Sequence, residues 1–450
     1  MMKRADGAAF LLIAAIVVYS SMIPPVVSLG NNGDFGKISG HFSFGYPPEQ
    51  EYHYAPLKFH YEPRYNYHPS FRSTENLLAI LAVGLSAVVS KTGEFDIRCL
   101  GAIHAALFLL AIWLLLPVLA HFFRMPGRVA ILLVIAAVFG DVIYVSVFNS
   151  FYMDASALVF IPLTLVFFLR SVVWRRNADL IGLAISATLT AGAKPQHAIL
   201  ALPIILLLIS CRKRLSWVVW PAAGGVILAA SWTTLSVPPD YRANQWYDVI
   251  FLGLLPYSPT PAQDLAELGL DPAYVSYSRT SAYYSTGGFA HAEFAKDFRT
   301  RMSAVPLLRF YMRHPVRTFQ LLIRALDDAG KTRPGMGNFD PAEGLPPDAQ
   351  SHAFAEWSQL RQWLFARHGL RYFWVTLAIQ ALLLWRASGD WRIAAWSLTI
   401  AVLLEAGISG LADAAEAPRH FTVFCQLQDI SAVALMAGFL PRVSKTKGGC

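Results

Sequence analysis

Ten stretches of roughly 15 to 25 residues, at 8–28, 99–122, 129–148, 155–173, 178–193, 197–211, 217–237, 372–386, 393–411 and 421–440, are almost free of charge. A helix needs roughly 20 apolar residues to cross the hydrocarbon core. A strand of an outer-membrane barrel would instead alternate polar and apolar residues over about 10 positions, and these runs do not. The chain is 55% hydrophobic and only 15% charged. It is therefore predicted to be an all-α polytopic integral membrane protein, a bundle of about 10 transmembrane helices.

An eleventh apolar run, Leu77 to Val89, is settled by parity. If it does not span, the basic clusters at Lys3-Arg4, Arg124 to Arg128, Arg170 to Arg176, Arg212 to Arg214, Arg386 to Arg392 and Arg442 to Lys447 share one face. The positive-inside rule makes that face the cytoplasm. If it does span, every cluster after the first moves outside. The run is also short, so it is assigned as a juxtamembrane helix on or dipping into the outer leaflet. The first run, behind Lys3 and Arg4, is long enough to span and lacks a convincing cleavage site, so it is taken as a retained helix.

This topology divides the chain into an N-terminal transmembrane module (1–237) with a first outer loop (29–98), a large partly helical outer cap (238–371) and C-terminal transmembrane helices (372–450). Helical pieces of the cap are expected at 294–328 and 351–367. The net charge of +8 is accounted for by the cytoplasmic clusters and implies no nucleic-acid partner. Cys99, Cys211, Cys425 and Cys450 form no paired framework.

Ionisable residues recur at helix ends on the outer face. Asp34 lies in Gly30-Asn31-Asn32-Gly33-Asp34-Phe35-Gly36-Lys37-Ile38-Ser39, a turn-rich stretch just after the first helix. Asp154 closes the short turn Phe148 to Asp154, Lys194-Pro195-Gln196-His197 makes the next outer turn, and Asp413 to Arg419-His420 makes the last. A carboxylate there can act as general base toward a hydroxyl, while Lys194, Arg419 and His420 hold a phosphate leaving group. Taken singly, each residue is as well explained by capping, snorkelling or interfacial anchoring. Shared sidedness is what points to chemistry. His41, His53, His60 and His68 stand among tyrosines of the first loop without metal-ligand spacing. Glu405 and Asp141 lie in or beside apolar spans, where function and partial solvation at a helix end explain them equally.

A spanning helix followed by the acidic GNNGDF turn, then Tyr67-His68-Pro69, a short apolar helix and Arg98, resembles the GT-C superfamily of polyprenol-dependent glycosyltransferases. Within it, the chain is most similar to bacterial glycan hexose transferases of the WsfD type. The second outer turn Ser150-Phe151-Tyr152-Met153-Asp154, the pair Lys194 and Gln196, and a late element through Gly410, Asp413, Arg419-His420 and Asp429 complete the likeness. The resemblance implies a GT-C-like bundle that moves a sugar, a hexose, from a polyprenyl-phosphate donor to a cell-surface glycan or glycolipid acceptor, with inversion. It places the enzyme in the bacterial inner membrane, its active site facing the periplasm or exterior. Asp34 would then be the general base. Asp154 would orient the acceptor, share the base role, or hold a divalent cation (Mg or Mn) together with Asp34. Lys194, Gln196, Arg419, His420 and His68 would serve the donor phosphate. Two rivals are a lipid-linked oligosaccharide ligase or polymerase, leaning on Arg313 and His314, and a lipid or glycan transporter, which would place ionisable groups near the midplane.

Overall fold

The computed structural model describes residues 4–45, 48–61, 71–90, 93–211, 216–412 and 417–441. Its first half contains α1 (Arg4–Met22), α2 (Gly36–Ser39), α3 (Thr74–Val89), α4 (Arg98–Phe122), α5 (Met125–Phe139), α6 (Val142–Val145), α7 (Asp154–Trp174), α8 (Asn177–Ala191), α9 (Ala201–Ser210) and α10 (Ser216–Leu235). Then follow α11 (Pro239–Asp248), α12 (Pro261–Glu267), α13 (Ala292–Arg301), α14 (Ala304–Arg313), α15 (Pro315–Ala329) and α16 (Glu356–Phe365). The chain returns through α17 (Gly369–Arg386), α18 (Asp390–Leu411), α19 (Ala417–His420) and α20 (Thr422–Phe439). Two short strands, β1 (Lys58–Phe59) and β2 (Phe95–Asp96), pair antiparallel with Lys58 opposite Asp96 and tie the first loop to the start of α4.

The protein is a mostly helical, multi-pass membrane protein. Among the described residues, α1, α4, α7, α10, α18 and α20 are long and apolar enough to cross a membrane. The other four expected spans are shorter or more polar. Gly140 stops α5, and the Asp141 carboxylate accepts from Ile143 N (2.9 Å) to start the separate turn α6. α8 has 15 residues, and the run expected at 197–211 opens as a 3₁₀ turn (Gln196–Leu200) before α9. α17 carries Arg371 and Gln380.

α3, with 16 residues, is about 24 Å long at 1.5 Å per residue, short of the roughly 30 Å hydrocarbon core. Its start is bound to the end of α8, where Thr74 N donates to Gly192 O (2.8 Å) and Thr74 Oγ1 to Leu189 O (2.7 Å). Leu77, Ile80, Leu81 and Val88 are left exposed on the other side.

One continuous apolar core runs through α1, α4, α5, α7, α8 and α20. A second, aromatic core gathers Tyr247, Phe251, Phe294, Phe298 and Phe310 from the segment between α11 and α14. Close packing of α4 and α8 against α7 brings the beginning of α7 beside the turn that leaves α8.

Candidate active site

Gly30 to Ser39 folds as turns held by asparagine side chains. Asn31 Oδ1 accepts from the backbone of Gly33 (2.9 Å) and Phe35 (3.0 Å), and Asn32 Oδ1 from that of Asp34 (3.0 Å). The short amide mimics a backbone carbonyl, which is why asparagine suits such turns. Gly33 adopts φ 94°, where a β-carbon would be strained. The reversal drives Phe35 against Tyr152 (4.8 Å between ring centroids) and Phe151 (5.7 Å). Tyr152 in turn joins the two turns, its hydroxyl donating to Gly30 O (2.7 Å) and accepting from Asn32 N (3.2 Å).

Asp154 is the first residue of α7, where the helix dipole favours a carboxylate. Beyond α8, the turn at Lys194-Pro195 places Lys194 Nζ 3.0 Å from both oxygens of Asp154. α19 supplies Arg419, whose guanidinium is 3.0 Å from Asp34, 3.6 Å from Asp154 and 4.8 Å above the Tyr152 ring. The Asp34 side chain is 18% exposed and that of Asp154 only 3%, so Asp34 is the more accessible of the two carboxylates.

Six of the seven residues expected from sequence thus meet in one network: Asp34, Asp154, Lys194, Gln196, Arg419 and His420. His68 lies outside the described residues, as do Asp413 and Glu416. Two of the six differ from expectation. His420 Nε2 accepts from Arg419 (3.0 Å), so its Nδ1–H donates to Gln196 Oε1 (3.2 Å), and the ring is neutral rather than a cation. Gln196 donates to Ser409 Oγ (2.9 Å) and His420 O (3.1 Å). Gln196 and His420 thus have their side-chain polar atoms bonded inside the protein, with His420 directly against Arg419.

Three further members had been noted in the sequence without being assigned to the site. Lys37, one helical turn beyond Asp34, lies 2.5 Å from its Oδ1 and bonds the Tyr241 hydroxyl of α11. His197 Nε2 is 3.0 Å from Asp154, and its Nδ1 is 3.0 Å from Glu405 of α18. Carboxylates only accept, so both ring nitrogens donate and His197 is an imidazolium. Glu405 is fully buried, which removes partial solvation as its explanation. Lys37 was legible from its spacing to Asp34; His197 and Glu405 had no local signal linking them. Asp141, also buried, is a structural cap that accepts from Ile143 N and Ser358 N (2.9 Å each). Asp429 is bound by Arg361 (2.8 Å), Tyr144 (2.6 Å) and Trp357 (2.8 Å) in a separate buried cluster.

Burial by itself would raise the Asp34 carboxyl. Lys37 and then Arg419 outweigh it and hold the group well below the usual carboxylate range. Burial lowers the Lys194 ammonium, against the pull of Asp154. Among the described residues, Asp34, Asp154 and Glu405 face Lys37, Lys194, Arg419 and the His197 imidazolium, one more positive group than negative. The carboxylates do not suit a divalent cation: Asp34 is shared by Lys37 and Arg419, and Asp154 by Lys194, His197 and Arg419. Among the described residues no group of three or more histidine, cysteine or acidic side chains is placed to hold one. The first-loop histidines disperse, with His41 at Phe71 O (2.8 Å), His53 at Asp348 (3.0 Å) and His60 at Glu94 (3.3 Å).

Residues 2–408 match the family model of the YfdI N-terminal transmembrane domain. The chain belongs to that family. The match names the YfdI family where the sequence motifs had suggested the WsfD type. The site described above is, with the exception of Arg419 and His420, built from residues inside the matched YfdI region. No curated protein matches the sequence. Among solved structures, the chain is similar to the Archaeoglobus fulgidus oligosaccharyltransferase tethered with an acceptor peptide containing the NVT sequon, at 15% identity and TM-score 0.40 over 95% of this chain and 49% of the other. It is also similar to the archaeal oligosaccharyltransferase AglB from Archaeoglobus fulgidus in complex with an inhibitory peptide and a dolichol-phosphate, at 15% identity and TM-score 0.39 over 95% and 50%. The chain spans about half the length of these two proteins.

Proposed function

We propose that this protein is a GT-C-type membrane hexosyltransferase that moves a hexose from a polyprenyl-phosphate donor to a glycan or glycolipid acceptor at the outer face of a bacterial cytoplasmic membrane. The observation that carries the reading is the placement of Arg419 between Asp34 and Asp154, with Lys194 on Asp154. Among the described residues, the excess of one positive group suits the one negative charge of a sugar phosphodiester. In the reaction the acceptor O–H bond breaks and its oxygen bonds the anomeric carbon from the face opposite the phosphate, which inverts the centre. The anomeric carbon–oxygen bond to phosphate breaks, the proton passes to Asp34, and the second negative charge of the leaving phosphate develops against Arg419 and Lys194.

Asp34 paired with two cations is ionised but weakly basic. A donor phosphate drawing Arg419 toward itself would return basicity to Asp34 when a substrate is present, which gives the ion pair a use in timing. In this reading the segment 238–371 is the outer cap that receives the acceptor. Asp154, held by Lys194 and His197, fixes the cations in place and is too enclosed to meet an acceptor.

Arg313 and His314, on which a lipid-linked oligosaccharide ligase was expected to lean, are occupied by Glu267 at 3.4 and 2.7 Å within the cap. The test is transfer of labelled hexose from a polyprenyl-phosphate donor to a glycan acceptor in membranes containing the protein. Label should reach the acceptor with the wild type and not with Asp34→Asn; transfer by the variant at the wild-type rate refutes the reading.

A further inference from the structure

α14 and α15 are joined at His314 into a helical hairpin with three distinct sides. The inward side of α14 places Leu307 and Phe310 in the aromatic core. A second side is bound by acids of α12: Glu267 meets Arg313 (3.4 Å) and His314 (2.7 Å), and Asp264 meets Arg317. The third side is apolar and exposed. It consists of Val305, Leu308 and Met312 on α14 and Val316 and Phe319 on α15, with exposures from 38% (Phe319) to 75% (Met312). Steps of three and four residues put each set on one face of its helix. A contiguous apolar surface of this kind, rimmed by charge, marks a contact with something apolar.

The depth of this stripe follows from what holds the hairpin. α18 is long and apolar enough to cross a membrane over Trp391–Leu411, so Leu411 stands at a membrane surface. The Tyr311 hydroxyl of α14 donates to Leu411 O (2.8 Å), one of the carbonyls that a helix leaves open in its last turn. α15 touches the same end, since a β-carbon on Gly410 would come within 2.9 Å of Leu322 and 3.2 Å of Ala325. Phe319 meets Phe373 of α17 edge-on (5.1 Å between centroids), and Phe373 meets Trp374 (5.4 Å), itself 59% exposed. The stripe is thus level with the end of a span and continuous with the exposed flank of α17. Tyrosine and tryptophan are the side chains that favour this level of a bilayer.

We propose that the stripe from Val305 to Phe319 is a membrane-contact surface whose partner is the lipid itself, seated at the headgroup–acyl boundary on the side of the candidate site. A helix lying in this way buries its apolar face about 5–10 Å deep. Arg309, exposed beside Leu308, can lay its stem along the acyl chains and bring its guanidinium to the lipid phosphates. The hairpin then fastens the cap to the bilayer on one side and to α18 and α19, the element of Arg419, on the other. This seating does not depend on the hexose-transfer reading.

The test is a depth measurement on the full chain in nanodiscs of phosphatidylethanolamine and phosphatidylglycerol, one protein per disc. A Cys450→Ala parent keeps Cys99, Cys211 and Cys425, all buried, and its labelling is the blank. Leu308→Cys, Met312→Cys and Val316→Cys are introduced singly and labelled with an environment-sensitive fluorophore. Asp328→Cys, with a side chain 52% exposed at the far end of α15, is the control. Each replaced residue is exposed, so packing is kept and size-exclusion elution should match the parent. Lipids carrying a nitroxide near the top of the acyl chain should quench most of the emission at the three stripe positions and little at 328. Stripe labels that the nitroxide lipid leaves unquenched overturn the proposal; a blue shift without quenching would mean that protein, not lipid, covers the stripe. Equal quenching at all four positions overturns it as well, because the hairpin would then have no membrane-facing side.

Discussion

Changing Asp34 to asparagine keeps the shape of the side chain and removes its charge, and two separable losses should follow. The first is structural. Lys37 is only 4% exposed and 2.5 Å from Asp34, so the variant leaves its ammonium with the Tyr241 hydroxyl but without a counter-charge. Breaking a buried pair costs about 3–5 kcal/mol, and the 18% exposure of Asp34 sets the expectation at the low end, about 3 kcal/mol. The second is chemical: loss of a positioned general base typically costs about 10² to 10⁴ in rate. The double variant Asp34→Asn/Lys37→Met separates them, because it removes the orphaned cation together with the base. Thermal unfolding in detergent should show a lowered midpoint for Asp34→Asn and most of it regained by the double variant, while hexose transfer stays at the floor in both. Recovery of transfer in the double variant would refute the reasoning, since Asp34 would then have served only as a counter-ion for Lys37.

Arg419→Ala removes a cation shared by Asp34 and Asp154, and each carboxylate keeps its own lysine. With about 1.5–3 kcal/mol for a charge-assisted hydrogen bond, kcat/KM for the donor should fall about 10- to 150-fold, and an unchanged donor dependence removes Arg419 from the site. Glu405→Gln leaves the His197 imidazolium one carboxylate short inside the protein. A lowered unfolding midpoint is expected there, and a midpoint equal to wild type contradicts the assigned protonation. Because Asp34 is held below its unfolded value, the stability it contributes is complete above about pH 4, the ordinary carboxylate position, and is lost only as pH falls through the lower, folded value. The acid limb of kcat/KM for the donor should accordingly lie below about pH 4; a limb from Asp34 at or above that position means that the free enzyme lacks the ion pairs seen here.

The membrane class, the ionisable residues at the helix ends and the turn at Asp34 were determined by the sequence alone, because each depends on neighbours a few residues away. Apolar length decides whether a helix can span, and Asn31, Asn32 and Gly33 specify their turn through bonds that reach no further than Phe35. Sidedness followed from basic clusters between spans and was enough to put Asp34, Asp154, Lys194, Arg419 and His420 in one candidate group. Pairing was decided by the tertiary structure. Asp34 and Arg419 are 385 positions apart, and His197 meets Glu405 across 208; no periodicity encodes such separations. The same holds for the neutral state of His420, the charged state of His197 and the arrival of Tyr241 at Lys37. Each is fixed by which donor faces which acceptor at about 3 Å, and that depends on how the helices pack, not on where their residues stand in the chain.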